Sequence, residues 1–355
     1  MRGLVTALVL CGAIFIVWSQ KGVIAEAALP RLFERGMAAQ FDAELDDGLH
    51  VVLCGAGGPL AHPKRSGPCV AVQAGKQLLV FDAGTNGARN LSRLRVNASN
   101  INALFLTHFH SDHIDGLGEM AMTRWVQAAN TSPLPVIGPV GVARVVDGFN
   151  QAYAYDSTYR HAHHGDVVAP LSGAGMRSVE SPVPGIGEKV TVYAEGDVSV
   201  DMFAVDHSPV SPAVGYLVTY KDRSVLISGD TKVSENVTQF SQGVDLLVHE
   251  ALSAKLVGMM HEAALANGNL VLAKITTDIP DYHTTPIEAA QIARDANVGH
   301  LLFYHVVPAM PLPGMADVFL QGVGEVFEPY TLGEDGTLIS MPTGSDEIVV
   351  VQSLL

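Results

Sequence analysis

Short apolar or alternating runs, separated by clusters of glycine and proline, dominate the hydrophobic pattern of the chain. Runs of this length and spacing are typical of strands in a sheet. They predict strands at residues 49–54, 70–73, 78–81, 103–106, 190–194, 198–205, 214–220, 224–227, 245–248 and 300–304. A helical period predicts helices at residues 90–96, 119–128, 251–265 and 287–295, with another after Gly141. Residues 153–165 form a polar stretch that suggests irregular structure.

Strand-rich blocks with helices between them occur twice along the chain, on either side of a less regular middle at residues 117–196. Each sheet must bury one face against the other sheet, and helices cover the remaining faces. The order of elements therefore predicts an α/β (α+β) fold of two sheets packed face to face, with helices outside. No simple repeat and no long linker follows residue 47, so residues 48–355 are predicted to form one domain.

The N-terminal residues have the pattern of a secretory signal peptide. Arg2 precedes an apolar run at residues 4–18, and small residues flank Glu26 at a cleavage position. The run is shorter than the roughly 20 residues that span a bilayer comfortably. We expect a signal peptide at residues 1–27, with an uncleaved anchor as the alternative, and a lead-in segment at residues 28–47. The protein is therefore expected to be exported, either to the periplasm or out of the cell.

The charge balance of the chain is acidic, with 21 lysines and arginines against 36 aspartates and glutamates and a net charge of −15. Removal of a signal peptide would take away two basic residues and one acidic residue, so the balance would remain acidic. A protein that binds a phosphate backbone normally carries the opposite sign. We therefore expect no large nucleic acid as a partner.

Two cysteines, Cys54 and Cys69, lie in the predicted domain. Both are at the edges of neighbouring predicted strands, where export would permit a disulfide. Two buried free thiols are the alternative, and the sequence leaves this choice open. Neither cysteine has a second one at the spacing of a zinc site, so we do not expect them to bind metal.

Four side chains that can bind metal lie within six residues, directly after a predicted strand: His108, His110, Asp112 and His113. A turn at the end of a strand can bring alternate side chains to one point, so that two face one metal and two face another. Neutral imidazole and carboxylate are the ligands that Zn²⁺ takes at catalytic sites. The motif therefore predicts a metal site with room for two ions.

One loop cannot complete two coordination spheres, so more distant ligands are required. His207, Asp230 and His305 each follow a predicted apolar strand. A single such histidine is more often a hydrogen-bonded structural residue than a ligand. Three of them, each delivered by a strand to the edge of a sheet, favour ligation instead.

These motifs together resemble the metallo-β-lactamase superfamily, over residues 49 to about 343. The resemblance is carried by Phe81-Asp82-Ala83-Gly84, the motif at residues 108–113, His207, Ser228-Gly229-Asp230-Thr231 and His305. It implies a four-layer αββα sandwich with the site at one edge. Residues 48–355 would then be a hydrolase domain of this fold.

The resemblance also implies which residue binds which metal. His108, His110 and His207 would bind the first ion, Asp112, His113 and His305 the second, and Asp230 would bridge them. Asp82 would orient the ligand loop from behind, as carboxylates next to metal ligands commonly do. Two Zn²⁺ ions are the expected cofactors because the ligand set is rich in histidine; nothing else in the sequence selects Zn²⁺ over Mn²⁺ or Fe, which are the alternatives.

Two further motifs, Val248-His249-Glu250-Ala251 and Tyr282-His283-Thr284-Thr285, resemble the ribonuclease Z and arylsulfatase-like branch of the superfamily. This implies that His283 is a general acid for the leaving oxygen, and that Glu250 holds its ring and raises its pKa. Asp112 is assigned to the catalytic group as well as to the second metal. Purely structural roles at a strand end and in a loop are the alternatives for the pair.

Ribonuclease Z itself is disfavoured by the sequence. The arm with which that enzyme grips tRNA lies between the third histidine ligand and the bridging aspartate, and only 22 residues separate His207 from Asp230 here. We expect an exported dinuclear hydrolase that acts on a small anionic phosphate or sulfate ester, like a phosphodiesterase or an arylsulfatase. A lactone or β-lactam hydrolase of the same fold and a catalytically inactive metal-binding protein are the alternatives. A homodimer, and a membrane partner if the N-terminal segment stays uncleaved, are left open.

Overall fold

The computed structural model describes residues 18–38, 41 and 45–355 of the chain. Its contacts separate two units, Met1–Glu44 and Leu45–Leu355. All candidate metal ligands and both sheets lie in the second unit.

The first unit contributes helix α1, Lys21–Ala38, whose side chains are exposed as far as Glu34. The predicted cleavage position after Ala27 lies within this helix. Apart from Trp18, the apolar run at residues 4–18 lies outside the described residues. Among the helices of the described residues, none is both long and apolar enough to cross a membrane.

The second unit is built around two sheets. The strands are β1 Gly48–Gly55, β2 Cys69–Ala74, β3 Gln77–Phe81, β4 Ile101–Phe105, β5 Leu134–Pro139, β6 Met176–Ser181, β7 Lys189–Glu195, β8 Val198–Ala204, β9 Val214–Tyr220, β10 Arg223–Ile227, β11 Leu246–Leu252, β12 His300–Val307, β13 Tyr330–Leu332, β14 Leu338–Pro342 and β15 Val349–Val351. In the described residues, an eight-stranded sheet has the order β15-β14-β1-β2-β3-β4-β5-β6 and a seven-stranded sheet has the order β13-β12-β11-β10-β9-β8-β7.

Helices connect the strands of both sheets. They are α2 Gly87–Arg93, α3 Ser111–Ile114, α4 Leu117–Gln127, α5 Val142–His164, α6 Glu235–Phe240, α7 Ala254–Ala266, α8 Leu270–Asp278, α9 Pro286–Asp295, α10 Met315–Phe319 and α11 Val323–Val326. Three short 3₁₀ helices are described as well, at Ala98–Asn100, Leu171–Gly173 and Ile279–Tyr282.

The inner faces of the two sheets pack against each other and form the main core. Side chains alternate along each strand, so Tyr216 and Val218 of β9 face this core while Leu217 faces the opposite side. Phe81 and Phe105 of the first sheet stack with ring centroids 4.7 Å apart. The Tyr216 ring lies 5.4 and 5.5 Å from these two rings, so aromatic contacts join the sheets.

Helices cover the outer faces of both sheets. On the second sheet, Ala290 and Ala293 of α9 pack with Leu301 and Phe303 of β12. On the first sheet, α5 contacts β5 and β6, and α4 contacts β5. The αββα sandwich predicted from the sequence is therefore confirmed.

Some elements differ from the sequence-based prediction. Strands β5, β6 and β13 to β15 were not predicted, and β5 contains Pro135 and Pro139, which suggest a turn because proline cannot donate a ladder hydrogen bond. Residues 153–165, predicted to be irregular, belong mostly to the second half of α5. Strand β11 continues to Leu252, so the next helix begins at Ala254, three residues later than predicted.

Cys54 of β1 and Cys69 of β2 form a disulfide, with their Cα atoms 4.9 Å apart. Both residues are fully buried. Of the two alternatives that the sequence leaves open, the structure has the bridge.

The strands that precede the candidate ligands bring them to one edge of the sandwich. β4 leads into His108, while β8 and β10 of the second sheet lead into His207 and Asp230. His305 lies inside β12 and not beyond its end as predicted. Its φ is 43°, next to a shift in the pairing of β12 with β11. Such irregularities redirect a side chain, in this case toward the other ligands.

Candidate metal centre

The segment between β4 and α4, residues 106–116, carries four of the candidate ligands and is called the ligand loop below. His110 is the N-cap residue of α3, and Asp112 and His113 lie within this short helix. His108 and His113 are fully buried, whereas His110 and Asp112 are half-buried. The loop thus presents two side chains to the interior and two to the edge of a cleft.

Asp82 holds the ligand loop from behind. Its φ is 58°, and its Oδ1 accepts a hydrogen bond of 2.9 Å from the backbone N–H of Thr107. Its Oδ2 accepts from the Thr107 hydroxyl and lies 2.8 Å from Nδ1 of His113. Donation from Nδ1 fixes the tautomer in which the lone pair of His113 is on Nε2, facing the cluster. Asp82 therefore occupies the orienting position that the family resemblance implies.

Two groups of potential ligand atoms converge at this edge. Within each group, the nitrogen and oxygen atoms lie within 4.8 Å of one another. The first group is His108, His110, His207 and Asp230, and the second is Asp112, His113 and His305. This is the division that the family resemblance implies.

Asp230, a member of the first group, also borders the second. Its Oδ2 is 3.3 Å from Nε2 of both His113 and His305. The same oxygen is 3.8 Å from Nε2 of His108 and 3.9 Å from Nε2 of His207. One carboxylate thus borders imidazoles of both groups, which is the position that a bridging ligand requires.

Several buried atoms of the cluster have no hydrogen-bond partner within the described chain: Nε2 of His113, Nε2 of His207 and Oδ1 of Asp230. A buried polar atom without a partner costs about 1–3 kcal/mol, so native proteins rarely leave several together. Imidazole nitrogen and carboxylate oxygen are the donors that divalent Zn²⁺ takes. The donor set therefore fits two divalent cations.

The charge states of the cluster suit cation binding. Burial, reinforced by the nearby His113, holds the pKa of His108 well below its ordinary value, and burial also lowers the pKa of His207. Burial acts to raise the pKa of Asp230, but the imidazoles of His305 and His113 hold it well below its usual range. His113 is the exception, because Asp230 and Asp82 outweigh burial and raise its pKa. A cation would have to displace that proton, which makes binding weaker in acid.

The predicted acid, His283, forms a buried pair with Glu250. Oε1 of Glu250, which is fully buried, lies 3.0 Å from Nδ1 of His283 and accepts from the backbone N–H of Thr284 at 3.0 Å. Burial acts to lower the pKa of His283, but the Glu250 carboxylate more than offsets this and raises it to about 9. His283 also borders the cluster, since one of its ring nitrogens lies within 4.8 Å of ligand atoms of Asp230 and His305.

The structure adds positioning residues that the sequence did not single out. The carbonyl of Tyr282 accepts from Nδ1 of His207 at 2.8 Å, which leaves Nε2 of that ring free for the cluster. The hydroxyl of Thr284 donates to the carbonyl of Thr231 at 2.7 Å and ties the acid loop to the strand end beside Asp230. The only sequence signal for these contacts was that Tyr282 and Thr284 flank His283 and Thr231 follows Asp230.

Comparison with known proteins agrees with this geometry. The family model described as "Beta-lactamase superfamily domain" matches residues 78–306. A ribonuclease Z of Mycolicibacterium gilvum is 36% identical over 271 residues, which cover 76% of this chain and 87% of that protein. One of Mycobacterium tuberculosis is 32% identical over 264 residues, 74% of this chain and 87% of that protein. The short form of human tRNase Z shares the fold, with a TM-score of 0.59 and 21% identity over 82% of this chain and 99% of its own.

These relatives correct one expectation. The exclusion of a large nucleic acid as a partner is wrong, because it conflicts with relatives that are ribonucleases Z. The net charge of −15 describes the whole chain and includes Asp112 and Asp230, whose charges bound cations would neutralise. It therefore says little about the potential at the centre itself. An arylsulfatase-like substrate gains no support from these relatives.

The family match at residues 78–306 includes all seven candidate ligands. It also includes the pair of Glu250 and His283. The two ribonucleases Z exceed 30% identity over most of their own length. The chain therefore belongs to the metallo-β-lactamase superfamily of hydrolases, in its ribonuclease Z branch.

Proposed function

We propose that the protein is a dinuclear phosphodiesterase that needs two divalent cations, most simply Zn²⁺. The observation that carries the proposal is the place of Asp230, whose Oδ2 borders Nε2 of His113 and His305 on one side and of His108 and His207 on the other. When bound, two such cations would neutralise phosphoryl oxygens and lower the pKa of the attacking water.

The protein's own residues would divide the remaining work. His108, His110 and His207 would hold the first cation, Asp112, His113 and His305 the second, and Asp230 would touch both. Asp112 would take part in catalysis as a ligand of the second cation. Its Oδ2 lies 3.3 Å from Nε2 of His305, at the open side of the cleft. Asp82 and the Tyr282 carbonyl keep the rings of His113 and His207 in place.

His283 would supply the proton that the leaving oxygen requires. Its Nδ1 faces Glu250 at 3.0 Å, so the Nε2–H is free to donate toward the cleft. An alkoxide is a poor leaving group, and protonation by a positioned acid typically contributes 10²–10⁴-fold in rate. Water would add to phosphorus, the bond from phosphorus to the leaving oxygen would break, and that oxygen would leave as an alcohol.

The substrate class is taken to be phosphodiesters, with the phosphodiester bonds of RNA among them. The curated relatives are named ribonuclease Z, and that name supports cleavage at phosphorus over cleavage at sulfur. The general acid fits an RNA linkage, since its ribose oxygen is a poor leaving group that needs a proton.

A substrate screen with the zinc-loaded protein tests the proposal. The substrates are bis(p-nitrophenyl) phosphate, a precursor tRNA transcript, p-nitrophenyl sulfate, a simple lactone and a β-lactam. We expect cleavage of the phosphodiesters, loss of that activity on chelation and recovery on addition of Zn²⁺. Faster turnover of the sulfate, lactone or β-lactam, or activity that survives complete chelation, would overturn the proposal. Asp230→Asn serves as the control for contaminating nucleases.

Export is the second part of the proposal. It is supported by the charge and apolar pattern at the N-terminus and by the disulfide of Cys54 and Cys69, because disulfides persist mainly outside the reducing cytosol. Mass spectrometry of protein from the native cell would show an N-terminus near residue 28 and no free thiol at either cysteine. A retained N-terminus together with free thiols in a cytosolic fraction would refute export.

A further inference from the structure

Helices α7 and α8, which are consecutive in the chain, lie between the two members of the acid pair. The chain leaves Glu250 at β11, passes through α7 and α8, and returns at the 3₁₀ helix Ile279–Tyr282 directly before His283. These two helices contact each other, and α8 also contacts the 3₁₀ helix. The pair is called the helical hairpin below. It delivers side chains to the same cleft as the acid.

A cavity of about 350 Å³ lies between the helical hairpin and the cluster. One side of it is formed by polar residues of the centre, among them Asp112, Asp230 and His283. The apolar residues that line it, called the apolar wall below, are Leu60, Met260, Leu272, Ile275, Ile279 and Val307, of which Met260, Leu272 and Ile275 belong to the helical hairpin. A polar centre with an apolar wall is the usual composition of a small-molecule site.

Most of the apolar wall is open to solvent, although Val307 is buried. Ile275 is 48% exposed and Leu60 is 44% exposed, and Leu272 and Ile279 are only half-buried. No lysine or arginine is among the residues of the described chain that line the cavity. The wall therefore offers contact area to an apolar group.

The geometry points to a leaving-group subsite: the helical hairpin binds an apolar, ring-sized organic group attached to the leaving oxygen of the ester. We place the apolar group on the leaving oxygen because His283, the proposed acid for that oxygen, lines the same cavity as Ile275 and Ile279. A group held against this wall would have its ester oxygen near the Nε2–H of His283. This inference rests on the proposed function, because it specifies which part of a phosphodiester the site selects.

A pair of leaving groups with nearly equal acidity tests the subsite. Methyl phosphodiesters of phenol and of 2-naphthol differ by one fused ring, so their rates compare apolar contact and not leaving-group acidity. We expect the zinc-loaded protein to cleave the 2-naphthyl ester with a kcat/KM about tenfold higher, as complementary apolar pockets discriminate by such factors. Equal rates for the two esters would refute the subsite and would leave the phosphodiesterase proposal intact.

Matched substitutions on α8 locate the effect. Ile275→Ala should reduce the 2-naphthyl preference to about twofold, since it removes wall area at an exposed helix position where alanine is well tolerated. Val271→Ala is the control, because Val271 is also β-branched, lies one turn earlier on α8, is 73% exposed and does not line the cavity. An equal fall in preference for both variants would contradict the assignment.

Equilibrium binding of 2-naphthol, followed by its own fluorescence, separates this inference from the proposed function. We expect 2-naphthol to bind the full chain, and Ile275→Ala to weaken binding several-fold while Val271→Ala leaves it unchanged. If that result is obtained but no ester is hydrolysed, the phosphodiesterase proposal fails and the subsite remains. If esters are hydrolysed but 2-naphthol does not bind at millimolar concentration, the subsite fails.

Discussion

Replacement of Glu250 by glutamine tests whether the acid pair acts through charge. The carboxylate lies 3.0 Å from Nδ1 of His283 and raises the pKa of that histidine from an ordinary 6.5 to about 9. This difference corresponds to about 3 kcal/mol in favour of the imidazolium. Glutamine keeps an acceptor for the ring and for the backbone N–H of Thr284. Its amide nitrogen would replace Oε2, which has no hydrogen-bond partner in the described chain, so we expect Glu250→Gln to fold.

The rate effect follows from the fraction of His283 that is protonated. An acid must hold its proton, so kcat/KM falls as the pH rises through its pKa, and Glu250→Gln should move that fall to lower pH. Without the Glu250 carboxylate, burial would hold the pKa of His283 no higher than the ordinary 6.5, so the protonated fraction at about pH 8 would drop roughly 30-fold or more. Bound cations would lower the pKa of His283 in the unchanged protein and in the variant alike. The test is therefore whether the pH–rate profile of the variant moves to lower pH.

The assay compares pH–rate profiles for an alkyl and a p-nitrophenyl leaving group. We expect a loss of roughly 30-fold for the alkyl ester and less than about threefold for the p-nitrophenyl ester, because p-nitrophenolate leaves without a proton. Glu262→Gln, on the exposed surface of α7, is the matched control. Equal losses for both leaving groups, with no displacement of the profile, would refute the acid role and leave Glu250 a structural residue.

Three further predictions concern the scaffold of the centre. Asp230→Asn should lower Zn²⁺ content by at least one ion per chain in elemental analysis; two retained ions would contradict the bridging position. Gly84→Ala should weaken Zn²⁺ binding at least tenfold by calorimetry, because a Cβ there would lie 2.3 and 2.5 Å from backbone atoms of two other segments, one of them the ligand loop; Gly148→Ala, which meets nothing within 4 Å, should bind normally. Cys54→Ala combined with Cys69→Ala should lower the free energy of unfolding by about 3 kcal/mol in urea, as expected for a closed loop of this length, and no change in midpoint would show that the bridge does not stabilise the fold.

The sequence predicted the sandwich and the members of the cluster because both depend on local patterns. Strand alternation determines which residues face the core, as Tyr216 and Leu217 of β9 illustrate. The ligand motif at residues 108–113 is contained in one loop, and each distant ligand is next to a strand. The position of His305 within β12 was not foreseen, since a positive φ and a register shift depend on the neighbouring strand.

The substrate side of the cleft could not be predicted in the same way. The helical period at residues 251–265 shows that a helix forms there, but not whether its apolar side chains are covered by the core or left open beside the centre. Ile275 has the same residue type as many core positions, yet it is 48% exposed and lines the cavity. Whether such a side chain is covered or left open depends on how its helix packs in the folded protein. Local charge could not be predicted either, because the net charge of the whole chain does not give the electrostatic potential at the cation site.

The position of the helical hairpin in the chain has a consequence for how this enzyme can diversify. Glu250 lies in a buried strand, and Thr284, next to His283, is hydrogen-bonded to Glu250 and Thr231, so these anchoring hydrogen bonds do not involve the helical hairpin. We therefore expect exposed positions of the hairpin to tolerate mutations that leave the contact between Glu250 and His283 intact. Among descendants of one ancestor, new substrate preferences should arise in this segment first, while the catalytic chemistry is inherited unchanged.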